Sequence, residues 1–159
     1  VTILFTRVAY RHGWMGNMAR YVIVYQEIQW RTAEALFQAL RFDDQQVREE
    51  IRMQASPMAA KMVAKNNRGR MVVVPRSQQD LQNMREVLRL KVDQHPGLKD
   101  RLLRTGDEEI VEDVSGRALG GENNHLFWGA SLRNGQWVGK NNLGKLWMEL
   151  REELRMCQK

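Results

Sequence analysis

Apolar residues recur along this chain mainly at the period of a helix. Ala33, Leu36, Phe37 and Leu40 fall at i, i+3, i+4 and i+7, which marks one buried helix face. Thr32, just before them, is a residue type that caps helix N-termini. Val47 and Ile51 belong to a second helix, with Asp43 or Asp44 as its cap. Ser56-Pro57 pairs a cap with proline at the first helical position, and a third helix runs from there through Ala60 and Met62 as far as Lys65. Leu81, Met84, Leu88 and Val92 mark a long helix that starts at Ser77 or Asp80 and breaks at Pro96-Gly97. Leu98, Leu102 and Leu103 give a short helix up to Thr105-Gly106. Leu143, Leu146, Trp147, Leu150 and Leu154 form the stripe of the last one.

Strand signals are fewer. Ile3 to Val8 is short and apolar. Tyr21 to Trp30 is rich in β-formers around a polar Gln26-Glu27 pair, which reads as a hairpin or two short strands. Glu109 to Val114 is a third strand candidate. Arg11 to Asn17, Asn66 to Arg76 and Gly116 to Asn124 read as loops. The pattern predicts a mostly helical α+β fold with a few short strands, and 159 residues without repeat or linker predict a single domain over residues 1–159.

Composition narrows the class. The chain is 43% hydrophobic, enough for a real core, and no apolar run approaches membrane-spanning length. Its one cysteine, Cys157, excludes an intrachain disulfide framework and a cysteine-based zinc site, so a cytoplasmic protein is expected. The net charge of +6 is carried mainly by scattered arginines, which suit phosphate recognition better than they mark a dedicated nucleic-acid arm.

The densest chemistry lies from Phe127 to Arg151. Trp128 and Trp137 offer flat faces for a ring. Gly129, Gly135, Gly139 and Gly144 allow close backbone approach, and Asn141 and Asn142 place donors and acceptors at a helix start. The stretch reads as one wall of a site for a polar, ring-bearing, anionic small molecule. Glu34 lies in the first turn of its helix. It is either a carboxylate stabilising the helix N-terminus or one held at a pocket mouth to activate water or stabilise a cationic transition state. His12, Trp14 and Asn17 belong to a loop that is either an ordinary surface loop or a pocket lining. Thr105-Gly106-Asp107, with Glu112 and Asp113 after it, is a common helix-end turn. His125 lacks companions at metal-ligand spacing, so no metal is expected. The phosphate-loop, dinucleotide and serine-elbow motifs are absent from the sequence.

Taken in order, these pieces resemble the NADAR family of YbiA-like N-glycosidases over nearly the whole chain. The residues that carry the resemblance are Thr32 to Ala39 with Glu34, Phe37 and Gln38, then Arg41-Phe42, Ser56-Pro57 with Ala60-Lys61, and Leu98 to Glu112. Trp128-Gly129 and the Gly139 to Leu146 run complete it. Asn17, after Gly16, sits where the family has Ser-Asn. The resemblance implies a hydrolase that cuts an N-glycosidic bond between ribose and a nitrogenous base, with no cofactor. The substrate is a phosphoribosylamino-pyrimidine, an ADP-ribose-like nucleotide or a nucleic acid ADP-ribosylated on guanine. Glu34 then serves as the reacting carboxylate, with Phe37 in the same motif at the substrate. Trp128 stacks on the base, Trp14 lines the pocket, Asn17 and Asn141 bind sugar hydroxyls and Arg7 holds phosphate. Ala35 stands where the family has histidine, His125 where it has aspartate, and Met71 to Arg76 lacks the family's tryptophan. His125 is therefore a candidate proton donor. A non-catalytic ADP-ribose or nucleotide-binding module is the alternative.

Overall fold

The structure is a computed structural model that describes residues 1–117 and 122–158. In chain order the described residues form β1 (Ile3–Phe5), β2 (Ile23–Tyr25), β3 (Ile28–Trp30), α1 (Ala33–Ala39), α2 (Gln45–Met53) and α3 (Pro57–Asn66). There follow α4 (Gln78–Gln94), α5 (Pro96–Arg104), β4 (Ile110–Glu112), α6 (Glu122–Trp128), β5 (Ser131–Arg133), β6 (Gln136–Val138) and α7 (Asn142–Cys157). Single 3-10 turns lie at Gly13–Met15 and Arg68–Arg70. This is the helical α+β class that the apolar spacing predicts. The packing groups into two compact units, residues 17–96 and residues 1–16 with 97–159.

In the 17–96 unit, β2 and β3 pair antiparallel with Ile23 opposite Trp30. Gln26 and Glu27 turn the hairpin with φ of 50° and 68°, the left-handed geometry that matches the twist of paired strands. Three helix starts are capped as their residue types require. Thr32 Oγ1 accepts from Ala35 N at 3.1 Å, Asp44 Oδ1 from Gln46 N at 2.9 Å, and Ser56 Oγ from Ala59 N at 3.1 Å. Ser77, not Asp80, caps α4, and its hydroxyl accepts from Asp80 N at 3.3 Å. Every residue of α1 is buried. It is the central helix of this unit, in contact with α2, α3, α4 and β3. The exposed edge of β2 is closed by a side chain: Gln94 accepts from Val24 N at 2.7 Å and donates to Val24 O at 2.8 Å.

In the other unit, β1 lies parallel to β4 with Ile3 opposite Ile110. The expected strand from Ile3 to Val8 stops at Phe5, because the chain then turns and Tyr10 N donates to Arg7 O at 3.0 Å. All three residues of β4 are buried, as a strand covered on both faces should be. Its second edge is satisfied without a third strand. Asn141 supplies the partners for Glu112 N and Ile110 O, and Ala130 those for Glu112 O and Val114 N. The polar stretch after Gly129, read from sequence as one wall of a ligand site, holds the β5–β6 hairpin, turned at Asn134-Gly135 with φ of 51° and 77°. Asn-Gly between alternating residues is the signal for such a turn. Of the expected loop from Gly116 to Asn124, residues 118–121 lie outside the described residues. The described part from Glu122 onward is already helix.

Candidate active site

Glu34 is the second residue of α1. Its backbone N–H donates to Asn17 O at 2.9 Å, and Thr32 takes the next N–H, so protein groups already satisfy these two exposed donors of the first turn. On this wholly buried helix the polar side chains are Glu34 and Gln38, one helical turn apart. Gln38 Nε2 donates to Glu34 Oε1 at 2.9 Å. Arg41, one turn further on, donates from Nη1 to Gln38 Oε1 at 3.1 Å. Asp80 receives Arg41 in a fork, Nε to Oδ1 at 2.9 Å and Nη2 to Oδ2 at 2.7 Å. Asp80 Oδ2 also accepts from Arg76 N at 2.8 Å. Glu34, Gln38, Arg41 and Asp80 are all at least nine-tenths buried. They form one continuous line of hydrogen bonds from Asp80 to the Glu34 carboxylate.

Among the described residues, Glu34 Oε2 has no hydrogen-bond partner. The sealed side-chain atoms without a partner, among the described residues, are Asn17 Oδ1 and Trp30 Nε1. Oε2 is not one of them and so keeps contact with solvent. A carboxylate with one oxygen pinned and the other open is equipped to take a proton from water or to face positive charge. Asn17 is buried beside it, with Nδ2 against Met84 Sδ at 3.1 Å. A sealed carbonyl without a donor costs about 1–3 kcal/mol. Phe37 is buried under the Arg41 guanidinium, 4.7 Å from its ring centre.

The same unit holds a residue that the sequence pattern concealed. Lys91 on α4 is fully buried, its Nζ 5.2 Å from the Tyr21 ring centre. Burial lowers its ammonium to about 7, so neutral amine is available near neutral pH. The signal was its position one turn beyond Met84 and Leu88, on the apolar stripe. Gln38, Arg41 and Asp80 were likewise missed as site residues. Glu34, Gln38 and Arg41 fall at i, i+4 and i+7, a polar stripe through an apolar helix.

The remaining expected residues lie in the other unit. Arg7 is exposed in the turn after β1. Trp14 is buried, edge-on to Trp147 at 5.5 Å, with Arg101 5.1 Å over its ring, and so builds the core there. Burial, then Arg11 and Arg101, lower the pKa of His12. His125 and Trp128 are on α6, and Trp128 is buried edge-on to Phe127 at 4.9 Å. Asn141 does not cap α7 with its side chain. Oδ1 accepts from Glu112 N at 3.0 Å, and Nδ2 donates to Ile110 O at 2.9 Å. Asn142 Nδ2 goes to Phe127 O at 2.9 Å. The close approaches that the glycines allow are to protein. A Cβ on Gly144 would meet Ile110 O at 2.2 Å, and one on Gly139, at φ 134°, would meet Gly129 O at 2.6 Å. Among the described residues no group of acidic, histidine or cysteine side chains could hold a metal, and no helix is long and apolar enough to cross a membrane.

A buried carboxylate with an oriented amide behind it is the candidate site on this small helical α+β scaffold. The NADAR domain model matches residues 4–155. The chain belongs to the NADAR family and is an enzyme of the N-glycosidase class. It is 37% identical over 145 residues to N-glycosidase YbiA of Escherichia coli, covering 90% of this chain and 82% of that one. An N-glycosidase of Nostoc punctiforme is 30% identical over 161 residues, covering 98% and 94%. The NMR structure of the E. coli protein YbiA superposes with a TM-score of 0.79 at 33% identity, covering 98% of this chain and 87% of that one.

Proposed function

We propose that this enzyme hydrolyses the N-glycosidic bond between a ribose and a nitrogenous base in an ADP-ribose-like or phosphoribosyl substrate, acting in the cytoplasm as one domain. The observation that carries the reading is the Glu34 carboxylate, with Gln38 on Oε1 and Oε2 open to solvent. Cleavage of an N-glycosidic bond builds positive charge on the sugar. A carboxylate facing that charge stabilises it, or takes the proton of the attacking water. Paired carboxylates solve the same oxocarbenium problem in O-glycosidases. Asn17, whose backbone oxygen receives the Glu34 N–H, is the family-pattern candidate for a sugar-hydroxyl contact. His125 as proton donor, Trp128 as base contact and Arg7 for phosphate are the candidates that the family pattern suggests. The scattered arginines suit a diphosphate, which ADP-ribosylated guanine, NAD and ADP-ribose share.

The test is a four-compound panel: ADP-ribosylated guanosine, NAD, ADP-ribose and a phosphoribosylamino-pyrimidine, with base and sugar products separated by mass. The expected result is base release from one of the four. With Glu34→Gln the rate should fall by about two to four orders of magnitude, the usual worth of a positioned acid or base, while the melting temperature holds. Full activity in that variant would remove Glu34 from the mechanism. Saturable binding with no product at any pH would favour a binding module instead.

A further inference from the structure

We propose that Gln38 is a positioning residue for the Glu34 carboxylate, held in one amide orientation by Arg41 and Asp80. The inference rests on the reading of Glu34 as the reacting group. A carboxamide can be turned end for end with little change in shape, and only its partners decide which end is the donor. Here the choice is forced. Arg41 has donors only, so the Gln38 end that faces it at 3.1 Å is the carbonyl oxygen. The amide N–H must then face Glu34, where it meets Oε1 at 2.9 Å. Arg41 is itself fixed by two bonds to Asp80, which a backbone N–H from Arg76 holds in turn. The outcome at the far end of this line is a carboxylate whose Oε1 is occupied and whose Oε2 is the free oxygen. Water or substrate thus meets a single defined oxygen.

Two near-isosteric variants separate positioning from mere packing. Gln38→Met keeps the volume and removes the donor. Gln38→Glu keeps the shape and the acceptor for Arg41 and sets a second carboxyl against Glu34, a like charge in place of a donor. Both are assayed on the four-compound panel with the compound that wild-type protein cleaves fastest. Both should lower kcat by about ten- to hundredfold with KM little changed, as a misplaced catalytic group does. Melting temperatures report on folding. In the wild-type protein the Gln38 side-chain amide protons should appear by NMR as a resolved, slowly exchanging pair, and Arg41→Lys should collapse that signature. Wild-type kcat in Gln38→Met, with Glu34→Gln inactive, would overturn the positioning role and leave Glu34 in place. Activity in Glu34→Gln would remove the Glu34 reading, and this inference with it.

Discussion

The central helix of the 17–96 unit and the Phe127–Arg151 stretch advertise themselves in opposite ways. The stretch carries the asparagines, glycines and tryptophans from which ligand sites are made. In the folded protein Asn141 and Asn142 are spent on backbone, and Gly139 and Gly144 make room for backbone. Helix α1 has the spacing of an ordinary core helix. Yet it carries the buried carboxylate with an unclaimed oxygen. The difference teaches that residue type alone does not identify a site. What counts is whether a group's hydrogen-bonding capacity is already used by the fold. A fully used polar group holds structure, and a buried one with capacity left over is available for chemistry.

The largest stability effect should come from the base of the α1 line. Arg41 and Asp80 form a bidentate ion pair, with side-chain exposures of 8% and 0%. Removing one partner strands the other's charge in the interior. Arg41→Leu or Asp80→Ala should therefore each cost about 3–5 kcal/mol in denaturant unfolding. The joint replacement should cost less than the sum of the two. A loss below about 1 kcal/mol, the range of an exposed pair, would show that the line is not sealed and would weaken the contrast with the stretch.

Asn141 and Gly144 of the stretch should respond the other way, with stability lost and chemistry spared. Asn141→Ala leaves Glu112 N and Ile110 O without partners in a buried strand, at about 1–3 kcal/mol. Gly144→Ala adds a good helix former, worth about 1 kcal/mol in isolation. Its Cβ would press on Ile110 O at 2.2 Å, and that oxygen belongs to a fixed strand. Overpacking of about 1–3 kcal/mol should win, so thermal denaturation should find this variant less stable. If Asn141→Ala instead raised KM on the cleaved panel compound with no change in melting temperature, its carboxamide would be a substrate contact after all.

Much of the fold was legible because it rests on local rules. Thr32, Ser56-Pro57 and the Pro96-Gly97 break each act within one turn of helix, so their spacing alone placed α1, α3 and the end of α4. The β5–β6 hairpin was missed although Asn134-Gly135 is a strong turn signal, because the glycines around it were read as ligand contacts. Glu34 was legible through its place in the family pattern. Gln38 and Arg41 belong to that pattern without a role of their own in it, and Asp80 reads only as a possible cap. Their link is a tertiary contact across 39 residues of sequence, which no local spacing encodes. Lys91 was hidden for a related reason. A lysine on an apolar stripe is ordinarily one whose head reaches water, and only the packed structure shows that this one is fully buried.

The smallest expected effect comes from a second carboxamide that does for β2 what Asn141 does for β4. Gln94 pairs through both side-chain atoms with the backbone of Val24, at 2.7 and 2.8 Å, much as Asn141 pairs with Ile110 and Glu112. The bonding is alike, but the Gln94 bonds are exposed and the Asn141 bonds are buried. Water can replace the lost partners at Val24 and cannot readily do so at β4. Gln94→Ala should thus cost under about 1 kcal/mol, against about 1–3 kcal/mol for Asn141→Ala. Amide hydrogen exchange should speed up at Val24 and leave α1 untouched. Equal losses at the two positions would mean that burial does not set the value of these bonds. The importance of Glu34, as a buried group with unspent capacity, would then lose its physical basis.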